Sequence, residues 1–375
     1  MTVKRSFYLK PVDTFFFKGQ QTTEAGEDTH NTGIFPPRPN TVYGALRAAY
    51  IHEHSTFDRF AESADEAVKK WMGTPDELGE FSIAFNGLMF RNELVLPLPL
   101  DYQVIEKDGK FKAYPLQPVR SDLPASPQTT GWLLQARIKE KSKSAAPFFV
   151  KIGNWKTYLL SGKPADCLLT ISDFVSFEDK IGIALDYGKQ TKKESYLYRM
   201  RKLRFKDNHA LYVYSSSAPD FKNVRFVRLG GENRPWLLQQ TDESFTLWTA
   251  KEIEHIKEQI RRTGMAKIIL LTPAIWKKGS RPEAFDGQFV TLPNGLKTEL
   301  LTAAVGRPDL YGGWDIANHR PKKRYYMVPR GSVLYVNVWE EQLNRFLELA
   351  GGFSFTDYGK QEGFGFAVIA PVIHD

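Results

Sequence analysis

The sequence predicts an α+β fold in two domains. Short segments rich in aromatic and β-branched residues alternate with a few segments whose apolar residues recur at helical spacing. The chain has 375 residues, 42% of them apolar and 13% aromatic, which is enough for one large core or two ordinary ones. Its single cysteine, Cys167, cannot form an internal disulfide or a four-cysteine zinc site, so packing must stabilise the fold.

The N-terminal half begins with a predicted strand at 6–17, which Pro11 interrupts. Residues 41–51 carry apolar side chains at helical spacing and are predicted to form a helix with Asn40 as its N-cap. The same patterns predict a helix at 57–71, strands at 81–90 and 93–105, a mobile charged insertion at 137–146, and strands at 181–187 and 210–214.

The C-terminal half shows a recognisable order of elements. Thr249 and Glu252 form a capping box for a helix with one apolar face. The order is a strand at 224–229, this helix, strands at 267–272 and 332–338, a helix at 340–350 and a strand at 364–373, with a long loop at 273–330. Strand, helix, strand, strand, helix, strand is the ferredoxin-like pattern. We therefore predict tandem ferredoxin-like domains at 1–205 and 206–375, with long insertions and a C-terminal Gly-rich loop.

Basic residues are concentrated in two segments of the chain. The net charge is +8, which permits a polyanionic partner. Residues 189–204 contain seven basic residues against one acid, with Tyr196 and Tyr198 among them. The second cluster lies at 320–330. Tyrosines can stack on unpaired bases while lysine and arginine neutralise phosphates, although a solvated charged hairpin would have the same composition.

Several function classes lack support in the sequence. There is no phosphate-binding loop of the Gly-x-x-x-x-Gly-Lys-Ser/Thr type, no His-Glu-x-x-His and no Gly-x-Ser-x-Gly. No run of eighteen uncharged apolar residues occurs, and Met1–Phe7 lacks the apolar region of a signal peptide. A cytoplasmic protein without a membrane partner is expected.

Three motifs occur in an order that resembles a known family. They are Phe35-Pro-Pro-Arg-Pro-Asn-Thr-Val-Tyr-Gly-Ala-Leu-Arg47, the pair Arg228-Leu-Gly-Gly-Glu232 and Tyr311-Gly-Gly-Trp-Asp315, and Gly359-Lys-Gln-Glu-Gly-Phe-Gly365. Together they resemble the RAMP superfamily of CRISPR proteins, and within it the third-subunit family of the type III-B Cmr module. The resemblance implies a non-catalytic, RNA-binding subunit of an antiviral effector complex, with no metal or nucleotide cofactor.

The resemblance also implies the partners. They are the 5′ handle of the CRISPR RNA (crRNA), the large polymerase-like subunit and the backbone RAMP subunit, with target RNA contacted only indirectly. The predicted RNA-binding residues are Arg38, Asn40, Thr41, Arg47, Lys189, Lys192, Lys193, Tyr196, Arg199, Arg201, Lys322, Lys323, Gly359, Lys360, Gln361, Gly363 and Gly365. Glycines with positive φ would let main-chain N–H groups approach a phosphate, while Lys360 adds charge and Gln361 an amide.

Other interpretations remain open at this stage. The 359–365 segment could be a plain tight turn, and the 320–324 cluster could contact protein as readily as RNA. His52 or His54 could serve a metal-independent crRNA-processing endoribonuclease as general acid or base. Asp13 could be a single cleaving acid of the kind found in a sister subunit. A subunit used only for protein contacts is the third possibility.

Overall fold

A computed structural model of the chain describes residues 3–19, 30–121, 131–186, 191–315 and 320–373. Within 30–32, 181–199 and 314–315 the description is limited to the backbone of those residues. The described residues form seven α-helices: α1 Pro39–His54, α2 Phe57–Ala61, α3 Glu66–Met72, α4 Ile152–Ser161, α5 Ile171–Phe174, α6 Ala250–Thr263 and α7 Leu343–Leu347. Most of the remaining regular structure is β-strand, so the fold is mixed, as predicted.

Fourteen strands of the described residues precede α6. They are β1 Arg5–Pro11, β2 His30–Thr32, β3 Ser82–Phe90, β4 Glu93–Pro97, β5 Tyr102–Lys107, β6 Lys110–Pro115, β7 Gln117–Arg120, β8 Trp132–Gln135, β9 Phe149–Lys151, β10 Val175–Asp186, β11 Thr191–Phe205, β12 Ala210–Ser217, β13 Phe226–Arg228 and β14 Pro235–Thr241. Seven of them make the larger sheet, in the order β13-β14-β1-β12-β3-β4-β9.

The remaining strands follow α6. They are β15 Met265–Leu270, β16 Ala274–Ile275, β17 Phe289–Thr291, β18 Lys297–Ala304, β19 Asp309–Tyr311, β20 Trp314–Asp315, β21 Arg320–Pro321, β22 Tyr325–Val328, β23 Val333–Asn337, β24 Phe353–Ser354 and β25 Phe366–Pro371. Six make the second sheet, β17-β18-β23-β15-β25-β24. The prediction of a long loop at 273–330 is wrong: the segment contains β16 to β22, including the eight-residue β18 of the second sheet, in keeping with the rarity of long structureless loops in compact proteins.

The larger sheet is buried on both faces. Along β12, Leu211 and Val213 belong to the core beneath α1, whereas Tyr212 and Tyr214 belong to the core shared with the second sheet. Successive residues of a strand point to opposite faces, so one strand supplies both cores. The Phe85 ring lies 5.6 Å from the Phe366 ring of β25, which joins the two sheets directly.

Strand pairing differs from the predicted order in the C-terminal half. The strand expected at 224–229 is β13, and it pairs with β14 in the larger sheet rather than opening the second one. β12 and β14 both pair with β1. Residues 210–241 thus belong by pairing to the sheet of β1, although they lie beyond the predicted boundary after residue 205. The division of the chain into domains stays a prediction.

Of the two predicted helix caps, one is confirmed and one is wrong. The capping box of Thr249 and Glu252 is confirmed. The N-cap of α1 is Arg38 instead of Asn40, because Pro39 is favoured at the first helical position. The helix expected at 57–71 is split into α2 and α3, with Ser63 at φ 55° between them. The 137–146 insertion packs on β5, where Gln103 donates to the carbonyls of Ile138 and Glu140.

A buried ion pair joins the β4–β5 connection to the second sheet. The Lys267 Nζ of β15 lies 2.7 Å from Oδ2 of Asp101, and the Tyr335 hydroxyl of β23 donates to the same oxygen at 2.6 Å. Asp101 is fully buried, and its Oδ1 has no hydrogen-bond partner among the described residues. The charges are therefore removed from water and depend on each other.

None of the helices in the described ranges has the length and apolar character needed to cross a membrane. The cytoplasmic location stays a prediction.

Candidate nucleic-acid interface

The entry to α1 lies against the second sheet. Arg38 donates from Nη2 to Asp309 Oδ2 at 3.0 Å and to the Leu310 carbonyl at 3.1 Å, and its guanidinium lies 5.7 Å from the Tyr311 ring centre. Arg38 thus ties the first turn of α1 to β19, a role that its sequence motif did not reveal. Nearby, Oδ1 of Asn40 is buried without a hydrogen-bond partner among the described residues.

The guanidinium of Arg47 is hydrogen-bonded to main-chain carbonyls within the protein. Its guanidinium donates to the Met72 carbonyl at 2.7 Å and to the Thr74 carbonyl, so it caps the C-terminal end of α3. Burial lowers the pKa of this guanidinium, and nearby Glu362 partly offsets the effect. Because these donors are used within the protein, we leave Arg47 out of the interface proposed below. Its predicted RNA contact stays a prediction that the structure does not test.

The 359–365 loop packs tightly. Gly359, Gly363 and Gly365 have φ of 71°, 93° and 68°, as expected for glycine. However, the N–H of Gly363 donates to the Lys360 carbonyl and that of Gly365 to the Pro273 carbonyl. The side-chain amide of Gln361 donates to the carbonyls of Gly79 and Phe81. Within the loop, Gly363, Phe364 and Gly365 are buried and only Lys360 is exposed, so the loop is part of the packed structure.

Adding a methyl group at Gly365 is expected to destabilise the fold. The new Cβ would lie 2.7 Å from the Phe355 carbonyl oxygen and 2.5 Å from Cβ of Thr356, in addition to the strain of a positive φ. Gly365→Ala should lower the free energy of unfolding by roughly 3 kcal/mol, measured by urea denaturation. Gly109→Ala is the control, because Gly109 has φ 71° and open space around it; about 1 kcal/mol is expected there. Equal losses at both positions would refute the packing argument.

The basic segment 189–204 forms most of one long strand. β10 and β11 make a ribbon whose register runs from Val175↔Phe205 to Asp186↔Thr191. Lys189 lies outside the described residues, and the side chains of Lys192, Lys193, Tyr196 and Arg199 lie within the backbone-only part. Arg201 is paired with Asp179 at 3.0 Å, and Lys202 with Glu232 at 2.6 Å. Carboxylates from a neighbouring strand and from another segment thus neutralise charges that looked unpaired in sequence.

The second basic cluster, at 320–324, differs from the 189–204 segment in its charge pairing. Arg320, Lys322, Lys323 and Arg324 are all exposed, and none has an ion-pair partner within 4 Å among the described side chains. Lys323 lies 5.4 Å from the Tyr325 ring centre. The charge of Lys322 is close enough to Glu362 to lower that carboxyl's pKa, against the larger upward effect of burial. The cluster therefore adjoins the 359–365 loop.

A groove of about 250 Å³ lies between the two sheets. One wall contains Phe85 and Leu88 of β3 and Phe149 of β9, and the other contains Thr272, Met327 and Arg330. The segment Ile34–Arg38 closes one side. Thr272 donates to the Gly363 carbonyl at 2.8 Å, so the 359–365 loop is hydrogen-bonded to one wall of the groove. At the base of the ribbon, the Phe205 ring lies 5.8 Å from the ring of Phe35.

The α1 entry therefore lines the groove, the 359–365 loop is hydrogen-bonded to its Thr272, and the 320–324 cluster precedes the strand that supplies its Met327. The structure also reveals a residue that the predicted set omitted, Arg330. Arg330 is the last residue of the basic cluster at 320–330, but the sequence does not show that it lies in a groove while the other members are exposed.

The histidines of the alternative hypothesis lie elsewhere. His52 and His54 are exposed in the last turn of α1, roughly 20 Å along the helix from the groove. The His54 ring lies 4.3 Å from that of Tyr50. Asp13 is paired with Arg204 at 2.9 Å, and its pKa is lowered chiefly by the Thr14 N–H and by Arg204. No group of three or more His, Cys, Asp or Glu suited to a metal occurs among the described residues.

Comparison with known proteins identifies the family. Residues 7–373 match the model of the family described as CRISPR-associated protein (Cas_Cmr3). The chain belongs to the Cas_Cmr3 family. A curated relative, the CRISPR system CMR subunit Cmr3 of Saccharolobus solfataricus, is 23% identical over 333 residues, covering 87% of this chain and 84% of the relative. The predicted resemblance to the third Cmr subunit is confirmed. Membership of the Cas_Cmr3 family supports a role in a type III-B CRISPR effector complex.

Solved structures related to this Cas_Cmr3 chain come from CRISPR complexes. A chain of the type III-B Cmr-beta complex bound to cognate target RNA has a TM-score of 0.49 and 17% identity, covering 88% of this chain and 86% of that one. A chain of the Csm3-Csm4 subcomplex of the type III-A interference complex has a TM-score of 0.38 and 12% identity, covering 99% and 100%.

Proposed function

We propose that this Cas_Cmr3 protein is a non-catalytic subunit that binds the 5′ handle of the crRNA in a type III-B complex. The observation that carries the proposal is the basic cluster at 320–324, which is unpaired among the described side chains and directly precedes a strand that lines a groove between the two sheets. Phosphates of a single strand need exposed cations, and unstacked bases need apolar or aromatic surfaces. Both are present within one region of the surface.

The cations and the groove are close along the chain. Arg324 directly precedes β22, and Met327 of that strand lines the groove, so about 10 Å separates them. Lys322 and Lys323 precede Arg324, and exposed Lys360 lies on the neighbouring loop. Asn40 and Thr41, in the first turn of α1, complete this side of the interface. Lys189, Lys192, Lys193, Tyr196 and Arg199 stay in the proposed RNA-binding set on their sequence pattern alone.

We propose further that the fold is a tandem pair of ferredoxin-like domains with their boundary between residues 241 and 250. A ferredoxin-like sheet has the strand order 4-1-3-2. The run β14-β1-β12-β3 has this order, with α1 between its first and second strands, and so has β25-β15-β23-β18, with α7 between its third and fourth. Each unit keeps one of the two helices of the pattern, and insertions replace the other.

The bridging role belongs to the same proposal. The protein would join the large polymerase-like subunit to the backbone RAMP subunit while the spacer of the crRNA reads the target by base pairing. The main alternative is cleavage of precursor RNA by His52 or His54. Their distance from the groove favours binding without cleavage there.

The direct test is binding of labelled crRNA to the full chain, alone and assembled with its partner subunits. Intact and scrambled 5′ handles are compared with and without metal. The proposal predicts handle-selective binding of uncut RNA. Metal-free cleavage that His52→Ala or His54→Ala abolishes would establish the ribonuclease instead. Equal affinity for both handles in the assembled complex would reject handle recognition.

Lys360→Ala is expected to weaken handle binding without changing stability. Lys360 is exposed, and removing its charge from one phosphate should reduce the slope of log affinity against log salt concentration by about 0.7. Gln361 is left intact because its amide holds the loop to Gly79 and Phe81. Lys251→Ala is the control: it removes one positive charge from an exposed position on α6 and should leave the salt slope unchanged. An unaltered slope in Lys360→Ala would exclude this lysine from the interface.

A further inference from the structure

The groove between the sheets contains an arginine that has no carboxylate within ion-pair distance among the described residues; the acidic lining residue, Asp309, is paired with Arg38. Arg330 is partly buried, and no carboxylate of the described residues lies within 4 Å of its guanidinium. Its Nε is shielded from solvent and lacks a hydrogen-bond partner among the described residues. Burial lowers the pKa of the guanidinium to about 10, with no offsetting acid nearby. Removing a charge from water without a partner is unfavourable, so this arrangement weakens the fold of the isolated chain.

Other buried cations among the described residues have clear structural partners. Lys267 is neutralised by Asp101, Lys202 by Glu232, and Arg47 donates to two carbonyls at the end of α3. Among the described residues, Arg330 contacts the ring of Phe149, whose centre lies 4.7 Å from its guanidinium carbon. A cation–π contact of this kind uses the face of the guanidinium and leaves its N–H donors for a ligand.

The walls of the groove suit a nucleobase. Ile34, Phe35 and Pro273 line the groove and are only partly buried, so they supply apolar surface. Two further lining residues carry buried polar atoms without partners among the described residues, Oδ1 of Asn86 and Nε of Arg38. The acceptor and the donor can pair with the edge of a base, and the apolar surface can contact its face. In a groove with a purely structural role, these polar atoms would be satisfied within the protein.

We propose that this groove binds one nucleotide of single-stranded RNA, with a backbone phosphate on Arg330 and the unstacked base against the apolar wall. The inference rests on the proposed function and assigns it a specific subsite. An acidic side chain of a partner protein would also satisfy Arg330. RNA is favoured because the exposed cations at 322–324 directly precede β22, whose Met327 lines the groove, and a single strand presents successive phosphates to such neighbouring cations.

The test is Arg330→Leu in the full chain, alone and assembled with its partners. Affinity for crRNA should fall about tenfold or more, and the salt slope should decrease by about 0.7. The melting temperature of the isolated variant should equal or exceed that of the wild type, because an unpaired charge is replaced by an apolar group. Arg225→Leu is the matched control: Arg225 is exposed beside β13, and β13 is four strands from β3 in the larger sheet.

The outcomes separate this inference from the proposed function. If the wild type selects the handle and Arg330→Leu binds it equally well, the subsite is rejected while handle binding stands. If the wild type shows no selectivity in the complex, both fail. A lower melting temperature with unchanged affinity would make Arg330 a structural residue. Weaker assembly with a partner subunit, with RNA affinity intact, would assign the groove to protein and also overturn the inference.

Discussion

Asp101→Ala is expected to lower the free energy of unfolding by about 3 to 5 kcal/mol. Asp101 is fully buried and holds both the Lys267 ammonium and the Tyr335 hydroxyl through one carboxylate oxygen. Removing the carboxylate leaves the ammonium of Lys267 desolvated and unpaired. The loss should appear in urea denaturation as a lower midpoint. Because Asp101 joins the β4–β5 connection to the second sheet, the variant should also make the two sheets unfold less cooperatively.

Two further variants make this prediction specific. Glu340→Ala removes the partner of Arg261 from an exposed pair at 2.8 Å and should cost no more than about 1 kcal/mol. Combining Asp101→Leu with Lys267→Met replaces the pair by apolar groups and should recover much of the loss, since neither charge is then stranded. A loss below about 1 kcal/mol in Asp101→Ala would show that water reaches Lys267 and that the pair is not buried in solution.

The second large effect is expected from the 320–324 cluster. Replacing Lys322, Lys323 and Arg324 together by Gln should reduce the slope of log affinity against log salt concentration by about 2, or about 0.7 for each phosphate that the variant no longer neutralises. These side chains are exposed and unpaired among the described residues, so little of their charge is cancelled by the protein. Binding of labelled crRNA over a series of salt concentrations measures the slope.

A triple variant on α6 serves as the control. Replacing Lys251, Lys257 and Arg261 by Gln also removes three positive charges. These residues lie on α6, which packs on β15 and β25 and contributes no residue to the groove. The salt slope should then stay near that of the wild type. Equal effects of the two triple variants would mean that overall charge drives RNA binding. Weakened subunit assembly with an unchanged slope in the 322–324 variant would assign the cluster to a protein contact.

Local signals in the sequence carried much of the prediction. The capping box of α6 and the positive φ of the three glycines in the 359–365 loop depend on residues close in sequence, so the pattern predicts them directly. The family assignment likewise depends on short motifs in a given order, and the match over 7–373 confirms it. The mixed α and β character followed from periodicity.

Long-range pairing lay beyond these signals. The strand at 226–228 has the same composition whichever sheet it joins, and only the position of β14 beside β1 decides the matter. The uses of Arg47 and Gln361 were missed for the same reason. Their acceptors at Met72, Thr74, Gly79 and Phe81 lie 25 to 282 residues away in sequence.

The sequence by itself determined the class of fold, the family and the concentration of basic residues in two segments. Only the tertiary structure decided which of those charges are cancelled: cross-strand and distant carboxylates pair with Arg201 and Lys202, whereas 320–324 stays unpaired among the described side chains. It also showed that Arg330, the last residue of the 320–330 cluster, lines the groove without an ion-pair partner among the described side chains. Burial and charge pairing depend on neighbours in space, and the order of residues along the chain does not specify them.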